Sequence, residues 1–117
     1  MKKLELKSFY VTQKDSRNGN PILDEKGEER KDEVFYKSLI IGALNFVQEG
    51  GIPLSEQGKR LRVIEKIENA KNGTELELDD VDIDLIYQLL QNMKYGLIDK
   101  GLLEFGDYIK KVKESKW

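Results

Sequence analysis

The sequence predicts a mainly α fold of about four helices, preceded by an N-terminal strand or hairpin, and three observations lead there. Apolar residues recur at intervals of three and four through most of residues 32–117. Residues 3–12 instead alternate, then turn β-branched and aromatic, as a strand does. Asn18-Gly19, Gly50-Gly51 and Asn72-Gly73 separate the periodic stretches with turn chemistry. At 117 residues the chain is one domain: an N-terminal strand and mobile polar loop over 1–31, and a helical core over 32–117.

Taken in order, the strand 3–12 is followed by a turn at Asp15-Ser16-Arg17-Asn18-Gly19-Asn20-Pro21 and a short return at Ile22-Leu23. Residues 13–31 hold little apolar content and are expected to be the mobile, protease-sensitive part. The first helix is expected from Asp32, as N-cap, to Gly50-Gly51, with apolar residues around most of its circumference. The second should start at a Ser55 cap and run to about Lys71, burying Leu61, Ile64, Ile67 and Ala70. Thr74-Glu75-Leu76-Glu77-Leu78 alternates and could pair with residues 3–12. Asp79, Asp80 or Asp82 caps a third helix with Val81, Leu85, Ile86, Leu89, Leu90 and Met93. A turn over Tyr95–Gly101 leads to a last helix with Leu102, Phe105, Tyr108, Ile109 and Val112, ending in Lys110, Lys111, Lys113 and Lys116. Trp117 either packs back on that helix or serves an oligomer contact.

The composition excludes much chemistry. The chain has neither Cys nor His. Disulfides, thiolate nucleophiles, His-based triads and the usual zinc sites are therefore out of reach. The remaining carboxylates, lysines and tyrosines would need large pKa shifts to act as acids or bases near neutrality. We therefore expect no enzyme activity, no cofactor and no metal. Net charge is −2, so nucleic acid is not an expected partner. No apolar run is long enough for a membrane span or signal peptide, and a cytoplasmic location is expected.

Two charged clusters stand out. Glu75, Glu77, Asp79, Asp80, Asp82 and Asp84 form an acidic stretch. Asp80-x-Asp82-x-Asp84 copies the start of a calcium loop, but Leu85 stands where glycine is needed and Gln91 where the closing glutamate belongs. Helix capping accounts for it better, ahead of a Mg²⁺-dependent phosphate hydrolase. The second cluster, Lys59, Arg60, Arg62 and Lys66, is the candidate ligand-binding set. It could hold a phosphate or an acidic partner. Ordinary helix-surface ion pairs with Glu56 and Glu65 explain all of it and are the preferred reading.

From about Glu33 onward the layout resembles a loose group of small phage and prophage proteins. The resemblance lies in Tyr-Lys-Ser-Leu-Ile-Ile-Gly-Ala-Leu (36–44), Arg-Leu-Arg-Val-Ile-Glu-Lys-Ile (60–67), Thr-Glu-Leu-Glu-Leu-Asp-Asp (74–80) and Ile-Asp-Leu-Ile (83–86). It implies a viral or prophage origin and a small non-enzymatic role, and it transfers no catalytic residue. The expected function is a binding or interaction protein: an inhibitor, an assembly chaperone or an accessory protein. It would work as a homo-oligomer with a host or phage protein as partner, inside an infected or lysogenic bacterial cell. The alternative is a sponge for an anionic small molecule, such as a nucleotide immune signal, held by basic residues converging in an oligomer.

Overall fold

The computed structural model describes residues 2–14, 17–47, 50–93 and 100–115. Among them are four helices and two separate two-stranded antiparallel sheets, so the fold is α+β rather than mainly α. The order is β1 (Lys2–Glu5), β2 (Ser8–Thr12), β3 (Lys31–Phe35), α1 (Tyr36–Asn45), α2 (Leu54–Glu68), β4 (Glu75–Leu78), α3 (Asp80–Asn92) and α4 (Lys100–Glu114).

The extended segment at 74–78 does pair with the N-terminus. β1 and β4 run antiparallel, with Leu4 opposite Leu76 and Lys2 opposite Leu78. The pairing continues past the strands, because Leu6 N–H donates to the Thr74 carbonyl and Gly73 N–H to that of Leu6. Gly73 has φ of 83°, a conformation that favours glycine. The alternation seats Leu4, Leu6 and Leu78 in the core. There they meet Ile40, Leu44, Val63, Ile67, Ile83, Ile86, Phe105 and Ile109.

The first helix starts later than its sequence suggests. Asp32 is not its cap; residues 31–35 form β3, paired with β2 from Thr12↔Lys31 to Ser8↔Phe35. Side chains on β2 and its extension claim the acidic residues: Ser8 Oγ donates to Glu33 at 2.7 Å and Gln13 Nε2 to Asp32 at 2.8 Å. Val34 and Phe35 suit a strand better than a helical first turn. The helix begins at Tyr36, whose N–H donates to the Lys7 carbonyl. It ends at Asn45, ahead of Gly50-Gly51.

The polar stretch beyond β2 carries a backbone ladder of its own. Ile22 N–H donates to the Gln13 carbonyl, and the Ile22 carbonyl accepts from Arg30 N–H. Asp24 closes the tip, its Oδ1 accepting from the Lys26 and Glu28 N–H groups. No described residue from Lys14 to Glu33 is buried. The described residues between Ser8 and Phe35 thus form an arm rooted at the N-terminal end of α1. The radius of gyration, 16.1 Å, exceeds the roughly 13 Å of a compact 100-residue domain.

The second and third helices place most of their expected apolar residues in or against the core, but Leu61 and Val81 are exposed. α2 starts at Leu54 behind Pro53, not at a Ser55 cap, and ends at Glu68. Its buried positions are Arg60, Val63, Ile64 and Ile67, whereas Leu61 is exposed. α3 buries Asp82, Ile83, Ile86 and Leu90 and exposes Val81. In α4 the expected Phe105, Ile109 and Val112 are buried. The turn residues 94–99, Asp15-Ser16, Lys116 and Trp117 lie outside the described residues.

An aromatic cluster joins the arm's base to α4. The Tyr36 ring lies 4.7 Å from Phe105, 5.8 Å from Tyr108 and 6.2 Å from Phe9. The Phe9 ring in turn lies against Gly101, where an added Cβ would approach it to 2.3 Å. Gly101→Ala should therefore lower stability by about 1–3 kcal/mol, measured as a shift in urea midpoint. Combining it with Phe9→Leu should cost less than the sum of the two singles; strict additivity would show that the two side chains do not compete for that space.

Candidate functional site

The four basic residues singled out from the sequence lie on α2, and the fold sends them to three destinations. Lys59 is exposed. Arg60 is 6% exposed, and its guanidinium turns toward the C-terminal end of α1. There it donates to the Leu44 carbonyl at 3.4 Å and to the Phe46 carbonyl, with Glu56 at 3.3 Å on its other side. The last carbonyls of a helix lack intrahelical donors and carry the negative end of its dipole, so a cation is well placed there.

Arg62 and Lys66 converge on one carboxylate. Asp82, in the first turn of α3, has a side chain with no exposure to solvent. Arg62 reaches its Oδ1 at 2.8 Å and Lys66 its Oδ2 at 2.9 Å. Lys66 also lies 3.8 Å from Asp79. Burial on its own would raise the Asp82 carboxyl, but hydrogen bonds and charge from Lys66 and Arg62 outweigh it and hold the group below its ordinary value. These cations already hold an anion, supplied by the chain itself.

The acidic stretch is divided by the fold. Glu75 and Glu77 lie exposed on β4, Asp79 precedes α3, and Asp80 and Asp82 occupy its first turn. Among the described residues no group of three or more carboxylates is placed to hold a metal ion. Tyr36 and Tyr108 stay protonated at neutral pH: burial raises both, and at Tyr108 it outweighs the opposing effect of the hydrogen bond its hydroxyl accepts from Glu5 N–H at 2.8 Å. Of the lysines near the end of α4, Lys110 and Lys111 are exposed, while Lys113 lies over the Tyr87 ring at 4.5 Å.

One concavity among the described residues was not legible in the sequence. A groove of about 370 Å³ runs between the end of α1 and α2. It is lined by Leu44, Val47, Ile52, Arg60, Leu61 and Ile64, among others. Val47 and Leu61 are exposed in its lining, and Phe46 and Leu54 add further exposed apolar surface on the flanking segments. Leu54 and Leu61 are seven residues apart on α2, two turns along the same side. Leu61 was expected in the core; the burial of Arg60 turns the helix so that Leu61 faces out.

Comparison with family models, curated proteins and solved structures gives no match. No described helix is long and apolar enough to cross a membrane.

The Asp82 clamp has an asymmetric response to mutation. Replacing both Arg62 and Lys66 by Ala leaves a buried carboxylate without a cation and should cost about 3–5 kcal/mol. Asp82→Ala frees two cations that already reach water and should cost less, about 1–3 kcal/mol. Because the folded-state pKa of Asp82 is depressed, its contribution is full above the unfolded value of about 3.9 and fades as pH falls through the folded value. The stability gap between wild type and Asp82→Asn should accordingly narrow on acidification below about pH 4, read by urea unfolding across a pH series.

Proposed function

We propose that this chain is a small non-catalytic binding protein of the phage or prophage type, working as a homo-oligomer on a host or phage protein inside the bacterial cell. The observation that carries the reading is the apolar groove between α1 and α2, with Phe46, Val47, Leu54 and Leu61 exposed along and beside it. Large side chains left in water around one concavity mark an interaction surface more often than scattered ones do. The missing Cys and His support a role without catalysis. The phage-type layout of 36–44, 60–67, 74–80 and 83–86 supplies the suggested origin and kind of role.

The alternative, sequestration of an anionic small molecule, has less to draw on. Arg60 is engaged by backbone carbonyls and Arg62 and Lys66 by Asp82, so that of the basic residues singled out on α2 and α4 only Lys59, Lys110 and Lys111 are described as exposed and outside these contacts.

Native mass spectrometry on gently purified protein tests the two readings together. The expected result is a defined oligomer with no added small-molecule mass. A retained mass of a few hundred daltons would move the assignment to the sponge, and turnover of a nucleotide, peptide or sugar by the pure protein would end the non-catalytic reading. Leu54→Glu, at a side chain 82% exposed, should weaken capture of a defined partner while changing stability by less than about 0.5 kcal/mol.

A further inference from the structure

An asparagine side chain can close on its own backbone. The backbone nitrogen of the next residue attacks the side-chain carbon Cγ, ammonia leaves, and a cyclic imide forms. Water then opens the ring at either carbonyl, giving Asp or isoaspartate, in which the main chain runs through the side-chain carbon. The attacking nitrogen must first give up its proton. An N–H held by an acceptor in the fold becomes available only when that part of the structure opens.

The fold withholds this nitrogen at nearly every asparagine. Phe46 N–H, after Asn45, donates to the Ala43 carbonyl, and Ala70 N–H, after Asn69, to that of Ile67. Met93 N–H, after Asn92, donates to the Leu90 carbonyl. Asn20 is followed by Pro21, which has no N–H. Asn72 is followed by glycine, but Gly73 N–H donates to the Leu6 carbonyl at 2.7 Å, in the pairing that extends β1 and β4. Asn18 is the exception: Gly19 N–H has no acceptor among the described residues.

The turn around Asn18 also favours the attack. Asn18 Oδ1 accepts from Asn20 N–H at 2.9 Å, which folds the side chain back along the peptide that follows it. The same donor faces the oxygen on which negative charge builds as Cγ becomes tetrahedral. Asn18 and Gly19 are both exposed, so hydroxide and water reach them. Gly19 has φ of 70°, and a Cβ placed there would meet nothing within 4 Å, so the tip has room for the ring.

We propose that Asn18-Gly19 is a self-acting modification site that converts to Asp and isoaspartate as the protein ages, while the fold protects the matching Asn72-Gly73. The bond from Gly19 N to Asn18 Cγ forms and the bond from Cγ to Nδ2 breaks. The amide proton goes to hydroxide, the side-chain nitrogen leaves as ammonia, and one water is consumed when the ring opens. A neutral side chain becomes a carboxylate. Residues 13–31 carry as many basic as acidic groups, so conversion turns the arm net negative.

The test is to age the folded protein in mildly alkaline buffer beside a sample unfolded in urea. Cleavage after glutamate releases the two dipeptides in separate fragments, residues 6–25 and 69–75. Mass spectrometry reads the gain from replacing the amide NH₂ by OH, fragmentation locates it, and an isoaspartyl methyltransferase labels the isomer. In the folded sample Asn18 should convert at least about tenfold faster than Asn72, and in urea the two rates should draw together. Asn18→Gln should remove the gain from fragment 6–25 and leave that of 69–75 unchanged. No conversion at Asn18 in the folded protein, a rate there equal to or below that of Asn72, or a gap that persists undiminished in urea would each overturn the assignment. A gain in fragment 6–25 that survives Asn18→Gln would do the same.

Discussion

A carboxylate that has lost all contact with water sets how α2 can lie against α3. Asp82 is in the first turn of α3, where the unpaired N–H groups and the dipole favour a negative charge. That alone would not repay its desolvation, since a buried ion needs a partner at close range. Arg62 and Lys66, one turn apart on α2, take one oxygen each. Once those contacts form, the rotation of α2 is set, and with it the fate of its other side chains. Val63, Ile64 and Ile67 enter the core, Arg60 points at the end of α1, and Leu61 is left in the groove.

The same economy recurs at the helix ends. Lys2 Nζ donates to the Lys113 carbonyl at 2.9 Å and to that of Ser115, at the end of α4. Lys37 donates to the Glu68 and Ala70 carbonyls at 3.0 and 2.7 Å, at the end of α2. Arg60 does the same for α1. In each case the cation comes from a remote part of the chain, so closing the helix also fastens two elements together. A sequence this rich in charge therefore uses several of its cations as internal fasteners.

That use explains which features were legible beforehand. The four helices, the pairing of residues 75–78 with the N-terminus and the buried face of α4 follow from local periodicity, and local periodicity is what a sequence displays. The start of α1 was hidden because Asp32-Glu33 imitates a helix N-terminus, whereas the competing β2 partner lies some twenty residues upstream. The buried face of α2 was hidden because a pattern of apolar residues alone places Leu61 inside and Arg60 outside. The carbonyls at the end of α1, with the Asp82 contacts that fix the rotation of α2, reverse that order. The basic cluster was legible as a cluster, but its roles depend on Asp82, twenty residues downstream of Arg62 and on another helix.

The pairing of β1 with β4, and the Lys2 contacts beyond it, also bear on when the chain can fold. β1 is made before its neighbour and finds it only after residue 78 has been made, and its Lys2 anchor only after residue 115. Contacts of such sequence separation are slow to form because the loop between them must close first. During synthesis Leu4 and Leu6 therefore wait exposed on an unpaired strand edge, open to a chaperone or a second nascent chain.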